Sequence, residues 1–298
     1  FTTDPYLFRE SIKRFMTTFP LPTISDLKKP EFWLLGLAGC LVAIHFTLTD
    51  RTKDAQDFLG LSILVWFAVG SLINRKRQSL QLESGIGATL LGAFLIAIIL
   101  LRTANATVNP GLSFIPLLGG FGLALIASGF KGIRQYWREL IILGLLAVPK
   151  ELGLGMFNIS DFLSLLITKI VGFVLWYVGF QVSRQGNQLF FPSGGIVIND
   201  ACAGVGNLIY LIQVAIIFLL VFPLSNRKNI LLVPIVALAL AFLMNLIRVG
   251  LLAALSPNNP DAFVYWHEGT GSLAFTFIVV IIFGCYYLFL LRRENAKS

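Results

Sequence analysis

The run ILLVPIVALALAFLMNLIRVGLLAAL, Ile230–Leu255, carries a single charge, on Arg248. As a helix it extends about 39 Å at about 1.5 Å per residue, more than the ~30 Å hydrocarbon layer of a bilayer. Runs of the same character lie near 32–49, 58–73, 86–101, 112–130, 203–223 and 270–291. The chain is 56% hydrophobic, with 26 Phe and 13% charged residues, well beyond the apolar share of a soluble domain. The sequence therefore predicts an all-α fold, a polytopic transmembrane helix bundle of about eight spans. No repeat, low-complexity tract or soluble domain interrupts it, so 31–298 reads as one integral membrane domain behind a cytoplasmic N-terminal segment, 1–30.

A net charge of +8 would suit a nucleic-acid binder. Here, however, Lys and Arg stand in short clusters between apolar runs, which is the pattern of orientation signals and excludes that class. The N-terminal segment, Arg75-Lys76-Arg77, Lys131/Arg134/Arg138, Arg227-Lys228 and Arg292-Arg293/Lys297 together hold 16 of the 23 basic residues. All of them face the cytoplasm only if residues 140–199 cross the membrane an odd number of times. Two apolar stretches compete there. The first, 140–157, contains Pro149-Lys150-Glu151, and the second, 161–180, contains Asp161 and Lys169. One crosses, and the other forms an interfacial or re-entrant helix within 140–180.

The chain starts Phe1-Thr2-Thr3, which reads as a trimmed or processed start. Residues 1–30 are too polar for a cleavable signal, so the first apolar run is a span. Cys40, Cys202 and Cys285 lie in separate segments, without the CxxC spacing of a metal site, and only His45 and His267 could assist them. No cofactor or metal is expected. Cys40 and Cys285 read as packing or lipid-facing side chains, and His45 as a packed or locally bonded histidine. The triplets at Asn105 and Asn158 are frequent by chance and receive no role.

With both termini cytoplasmic, 181–202 and 256–268 become external loops. Arg248 then sits about seven residues, or roughly 10 Å, below the outer boundary. Arg within a span costs on the order of 3 kcal/mol, so it marks a polar cavity or a function more often than a snorkelling anchor. Asn245, three residues earlier, shares its helix face. Cys202 and His267 fall on the same outer side. A thiol beside a permanent cation is a candidate nucleophile, the guanidinium is a candidate oxyanion donor, and imidazole suits proton transfer.

Four ordered motifs now bear a resemblance. Arg184-Gln185-Gly186-Asn187 precedes Pro192-Ser193-Gly194-Gly195, and Asp200-Ala201-Cys202-Ala203-Gly204 follows. Asn245-Leu246-Ile247-Arg248-Val249 and His267-Glu268-Gly269-Thr270-Gly271 complete the set. Over roughly 131–291 the chain resembles the exosortase/archaeosortase superfamily of membrane cysteine transpeptidases, with a motif flavour of its cyanobacterial type. The resemblance implies Cys202 as nucleophile, Arg248 as its electrostatic partner and His267 as acid/base. Asn245, Asn207, Asp200, Gly204, Arg184 and Asn187 would support the site or bind substrate. Ala203 departs from the family's usual Ser.

The resemblance further implies a thiol protease or transpeptidase in the plasma (inner) membrane, with its site on the extracytoplasmic side. It would cleave the C-terminal sorting signal of exported proteins, a PEP-CTERM-like motif followed by an apolar helix and a basic tail. The route would be a thioester acyl-enzyme, with transfer to a surface acceptor. Membrane lipids would be the other partners, and nucleic acid would not. The competing reading is a non-enzymatic transporter or lipid-binding protein with Arg248 and Asn245 lining a pathway. A third, an enzyme on a lipid-linked phosphate, lacks the basic or acidic groups such sites need.

Overall fold

In the computed structural model, residues 29–50, 55–104, 113–148, 159–199, 202–256, 259–267 and 269–296 are described. The N-terminal segment 1–28, Asp200, Glu268 and the Pro149-Lys150-Glu151 stretch lie outside them. Helices dominate because the apolar runs have no other way to satisfy their backbone groups inside a bilayer. They are α1 (Pro30–Asp50), α2 (Ala55–Lys76), α3 (Ile86–Ala104), α4 (Ile115–Gly132), α5 (Trp137–Leu146), α6 (Ile159–Tyr177), α7 (Val205–Val221), α8 (Arg227–Leu255), α9 (Pro260–His267) and α10 (Gly271–Asn295). Among the described residues, seven apolar stretches are long enough to cross a membrane, and α7, with 17 residues, is the next in length. Large apolar side chains on their outer faces, such as Phe67 at 75% and Phe277 at 64% exposure, are in place for lipid.

Two helices, α5 and α6, occupy the described part of 140–180. Ile115–Leu146 is apolar over 32 residues, yet Gly129, at φ 65°, breaks it. A short 3-10 turn, Ile133–Tyr136, follows and the chain reverses. Gly120 then faces Leu143 and Gly144 faces Leu117, so α4 and α5 form an antiparallel hairpin. With 10 residues, α5 reaches about 15 Å, half a bilayer. Its end is met mid-bundle, where Gln213 Nε2 donates to the Leu145 carbonyl at 2.8 Å. By length and composition α6, with 19 residues, is able to cross a membrane, and the residues between α5 and α6, 149–158, lie outside the described residues.

Contacts gather the basic clusters of the described residues, at 75–77, 131–138, 227–228 and 292–293, at one end. Arg75 Nη1 donates to the Val221 carbonyl at 2.8 Å, and Lys76 pairs with Glu139 at 2.9 Å and also donates to the Gln135 carbonyl. At the C-terminal end of α10, Glu294 accepts from Ser225 N–H at 2.7 Å and from Asn229 Nδ2 at 2.7 Å. The core divides along the axis. At the basic end Val65, Leu146, Val214, Ala237, Phe283 and Tyr287 pack together. At the other end Ile167, Val171, Leu189, Ile198, Val249 and Leu252 form a second cluster around Cys202. His45 is locally bonded, Nε2 to Ser62 Oγ at 2.9 Å, while Cys40 and Cys285 are exposed on outer faces.

One segment expected as an irregular external loop, within 181–202, is a small antiparallel sheet ordered β1-β2-β3: β1 Ser183–Gln185, β2 Gln188–Phe191 and β3 Gly194–Val197. The register pairs Arg184 with Leu189, and Leu189 with Ile196. Leu189, Ile196 and Ile198 turn one face onto α6, so a sheet forms where strands of three or four residues give little alternation to read.

Candidate active site

The loop between β3 and α7 is built around Asn199. Its carbonyl accepts the N–H of Cys202 at 2.9 Å and of Ala203 at 3.0 Å, and its Oδ1 also faces the Cys202 N–H at 3.3 Å. Ser164 Oγ, on α6, donates to the same carbonyl at 3.4 Å. The loop ends on Gly204 at φ 73°, a left-handed conformation suited to glycine. A Cβ at Gly204 would lie 2.4 Å from the Asn245 side chain, so close packing demands glycine as well. Asn245, 2% exposed, donates from Nδ2 to the Cys202 carbonyl at 3.0 Å. Loop and α8 are thereby pinned directly behind the thiol.

His267 closes the site from α9. Its Nε2 lies 3.9 Å from Cys202 Sγ, although 65 positions separate them. Phe263, one turn earlier on α9, stacks on the imidazole with centroids 5.2 Å apart and planes 13° apart, which fixes the ring's orientation. Arg248 Nη2 donates to the His267 carbonyl at 3.1 Å, so the guanidinium ties α8 to the end of α9. Among the described residues its Nε is buried without a hydrogen-bond partner, and so is Asn245 Oδ1. An unspent donor and an unspent acceptor thus lie on one helix face beside the thiol loop.

Burial pushes the Cys202 thiol above its ordinary pKa. The Arg248 charge and a backbone hydrogen bond from Asn199 pull it down, but by less. The cation beside the thiol therefore offsets part of the effect of burial and does not reverse it. The resting group is a thiol that needs a base, and His267 is the neighbour able to take the proton.

Other residues singled out from the sequence fall elsewhere. Arg184 is exposed on β1 and donates to the Gly186 carbonyl at 3.0 Å, closing a hairpin turn. Asn187 Nδ2 donates to the Ile198 carbonyl at 3.2 Å and the Asn187 carbonyl accepts the Ile198 N–H at 2.9 Å, a clamp on the segment that leads into the loop. Asn207 sits half-buried in the first turn of α7. Asp200 lies outside the described residues. Asn199, Ser164 and Phe263 escaped the sequence reading. Asn199, three residues before the thiol, offered a turn-forming side chain as a signal, whereas Phe263 looked like any interfacial aromatic.

A family model described as transmembrane exosortase matches residues 53–284, well over half of the chain, including Cys202, Arg248 and His267. Comparison with curated proteins and with solved structures returns no match.

Proposed function

The chain belongs to the transmembrane exosortase family, and from that premise we propose a membrane-embedded cysteine protease or transpeptidase that removes the C-terminal sorting signal of exported proteins. The observation that carries the reading is Cys202 Sγ lying 3.9 Å from His267 Nε2, beside an Arg248 Nε–H without a partner. In the proposed reaction His267 Nε2 takes the thiol proton and the thiolate adds to the scissile carbonyl carbon. The carbonyl π pair moves to oxygen, and the oxyanion accepts hydrogen bonds from the Arg248 guanidinium. Collapse of the intermediate breaks the C–N bond, and the imidazolium gives its proton to the leaving amine. A thioester on Cys202 remains. Water or an amine then attacks that thioester with His267 again as base, and the thiol is regenerated.

The recognised tail would be a short motif, an apolar helix and a basic end. Such a tail inserts with its basic end in the cytoplasm, which presents the motif on the opposite, outer side of the plasma membrane. The thiol cluster stands at the end of the bundle away from the basic clusters, which agrees with that placement.

The test is processing of tailed exported proteins in cells that carry variants. Cys202→Ala and Cys202→Ser are expected to accumulate in the membrane and leave the tails attached. Normal cleavage by Cys202→Ala would refute a cysteine enzyme.

A further inference from the structure

The segment that leads into the nucleophile is an edge strand. Among the described residues β3 pairs with β2 alone, since the sheet order is β1-β2-β3. The hydrogen bond from Ile198 N–H to the Asn187 carbonyl makes 187 and 198 a bonded pair. Bonded and non-bonded pairs alternate in an antiparallel ladder, so 189 with 196 and 191 with 194 are also bonded. Gly195 and Val197 therefore turn their N–H and C=O groups away from β2, towards the open edge. Among the described residues, neither has a backbone partner outside the sheet. Both residues are exposed, Val197 at 51%. Among the described residues, helix α6 packs against β1 and β2.

Such an edge is a template for another extended chain, and proteins that leave one unprotected either risk aggregation or use it. Two features point to use. Gly194-Gly195 presents no side chain at the start of the edge, so an incoming backbone meets no obstacle there. The other end of β3 runs through Ile198 and Asn199 into Cys202. Val197 and Cys202 are five positions apart, a reach of at most about 18 Å. Asn187 clamps the strand at Ile198, and the turn in which the Asn199 carbonyl accepts the Cys202 N–H at 2.9 Å shortens that span. A chain paired along the edge is thereby delivered to the thiol.

We propose that the open edge of β3 is the docking strand for the polypeptide substrate, whose segment flanking the scissile bond adds as a fourth strand beside Gly195 and Val197. The proposal rests on the peptidase reading. Backbone pairing supplies alignment, and side chains that point to either face of the added strand remain free to supply selectivity. No group of the catalytic cluster contributes to this surface.

Val197→Pro tests it. Proline removes the outward N–H and sets its ring against an added strand, but leaves the ladder to β2 intact, because that N–H is not part of it. Val197→Thr keeps the backbone and the branched shape. The readout is the set of exported proteins that retain their C-terminal tails in a strain lacking this gene, complemented with each variant. Membrane accumulation and the alkylation rate of Cys202 serve as controls for folding. Val197→Pro is expected to slow tail removal about tenfold or more, the scale of one or more lost hydrogen bonds, while Val197→Thr stays within about twofold. Parental processing by Val197→Pro would overturn the docking strand and leave the peptidase standing. A deletion strain that retains no tails would instead remove the peptidase reading. If Val197→Pro fails to accumulate, a photoreactive benzoylphenylalanine in place of Val197, in a Cys202→Ala background, decides the matter. Crosslinks from position 197 to substrate residues beside the cleavage site are expected, and crosslinks obtained from position 184 on the opposite edge in their place would refute it.

Discussion

At Cys202 two opposed electrostatic effects meet, and their balance is measurable. Burial raises the thiol's pKa while Arg248 and the Asn199 backbone lower it, so removing the cation leaves the first effect less opposed. In Arg248→Ala the alkylation profile of Cys202 in detergent is expected to move to higher pH than in the parent. An unchanged profile would separate Arg248 from the thiol. Arg248→Lys keeps the charge but loses the planar set of donors, including Nε, and is expected to insert normally while losing on the order of 100-fold in rate. Parental activity would make Arg248 an anchor that ties α8 to the His267 carbonyl and nothing more. Gly204 gives a second residue-scale expectation. Gly204→Ala faces both φ 73° and the Asn245 side chain at 2.4 Å. It is expected to cost on the order of 2–4 kcal/mol and to lower Tm in detergent. Adding Asn245→Gly should recover the steric part of that loss, and no recovery would mean that the contact is not what makes Gly204 necessary.

At the scale of elements, the short helix α9 is an arm that carries His267. It packs against α8 and α10, and its own Phe263 stacks on the catalytic candidate. Because the ring's orientation depends on that stack, Phe263→Ala is expected to reduce turnover by up to about tenfold, with little change in membrane accumulation. Phe263→Tyr should remain close to the parent. Equal activity in all three proteins would show that α9 positions His267 without help from the ring. The hairpin of α4 and α5 illustrates the opposite situation, an apolar run broken by backbone geometry. Gly129 turns the chain, Lys76 and Glu139 staple the start of α5 at the basic end, and Gln213 meets its last turn in mid-bundle. Apolarity alone would have carried Ile115–Leu146 on as one long helix.

Among the described residues, the basic clusters and the thiol cluster occupy opposite ends, which makes topology testable in one experiment. With Cys40, Cys202 and Cys285 replaced, Ser193→Cys in the exposed sheet is expected to react with an impermeant thiol reagent added to intact cells. Labelling only after the cytoplasmic face is opened would invert the assignment. Much of this plan is written in local sequence. A run such as Ile230–Leu255 exceeds the bilayer by itself, Arg and Lys report their side through short-range clustering, and Asn245 and Arg248 share a face because helical spacing dictates it. Cys202, Arg248 and His267 were legible as candidates because a thiol, a guanidinium and an imidazole stand out against an apolar background. The sheet at 183–197 was not legible, because its pairing is stabilised by contact with α6 and its strands are too short to show a period. Nor could spacing reveal that Arg184 would close a remote turn, that Asn199 would hold the nucleophile loop, or that the thiol and imidazole would meet at 3.9 Å. Sequence determined which segments enter the membrane and which residues carry chemistry, since both depend on properties of the residues themselves. Tertiary structure alone decided which of those residues touch, because contact across 65 positions is set by how α8, α9 and the Cys202 loop pack together.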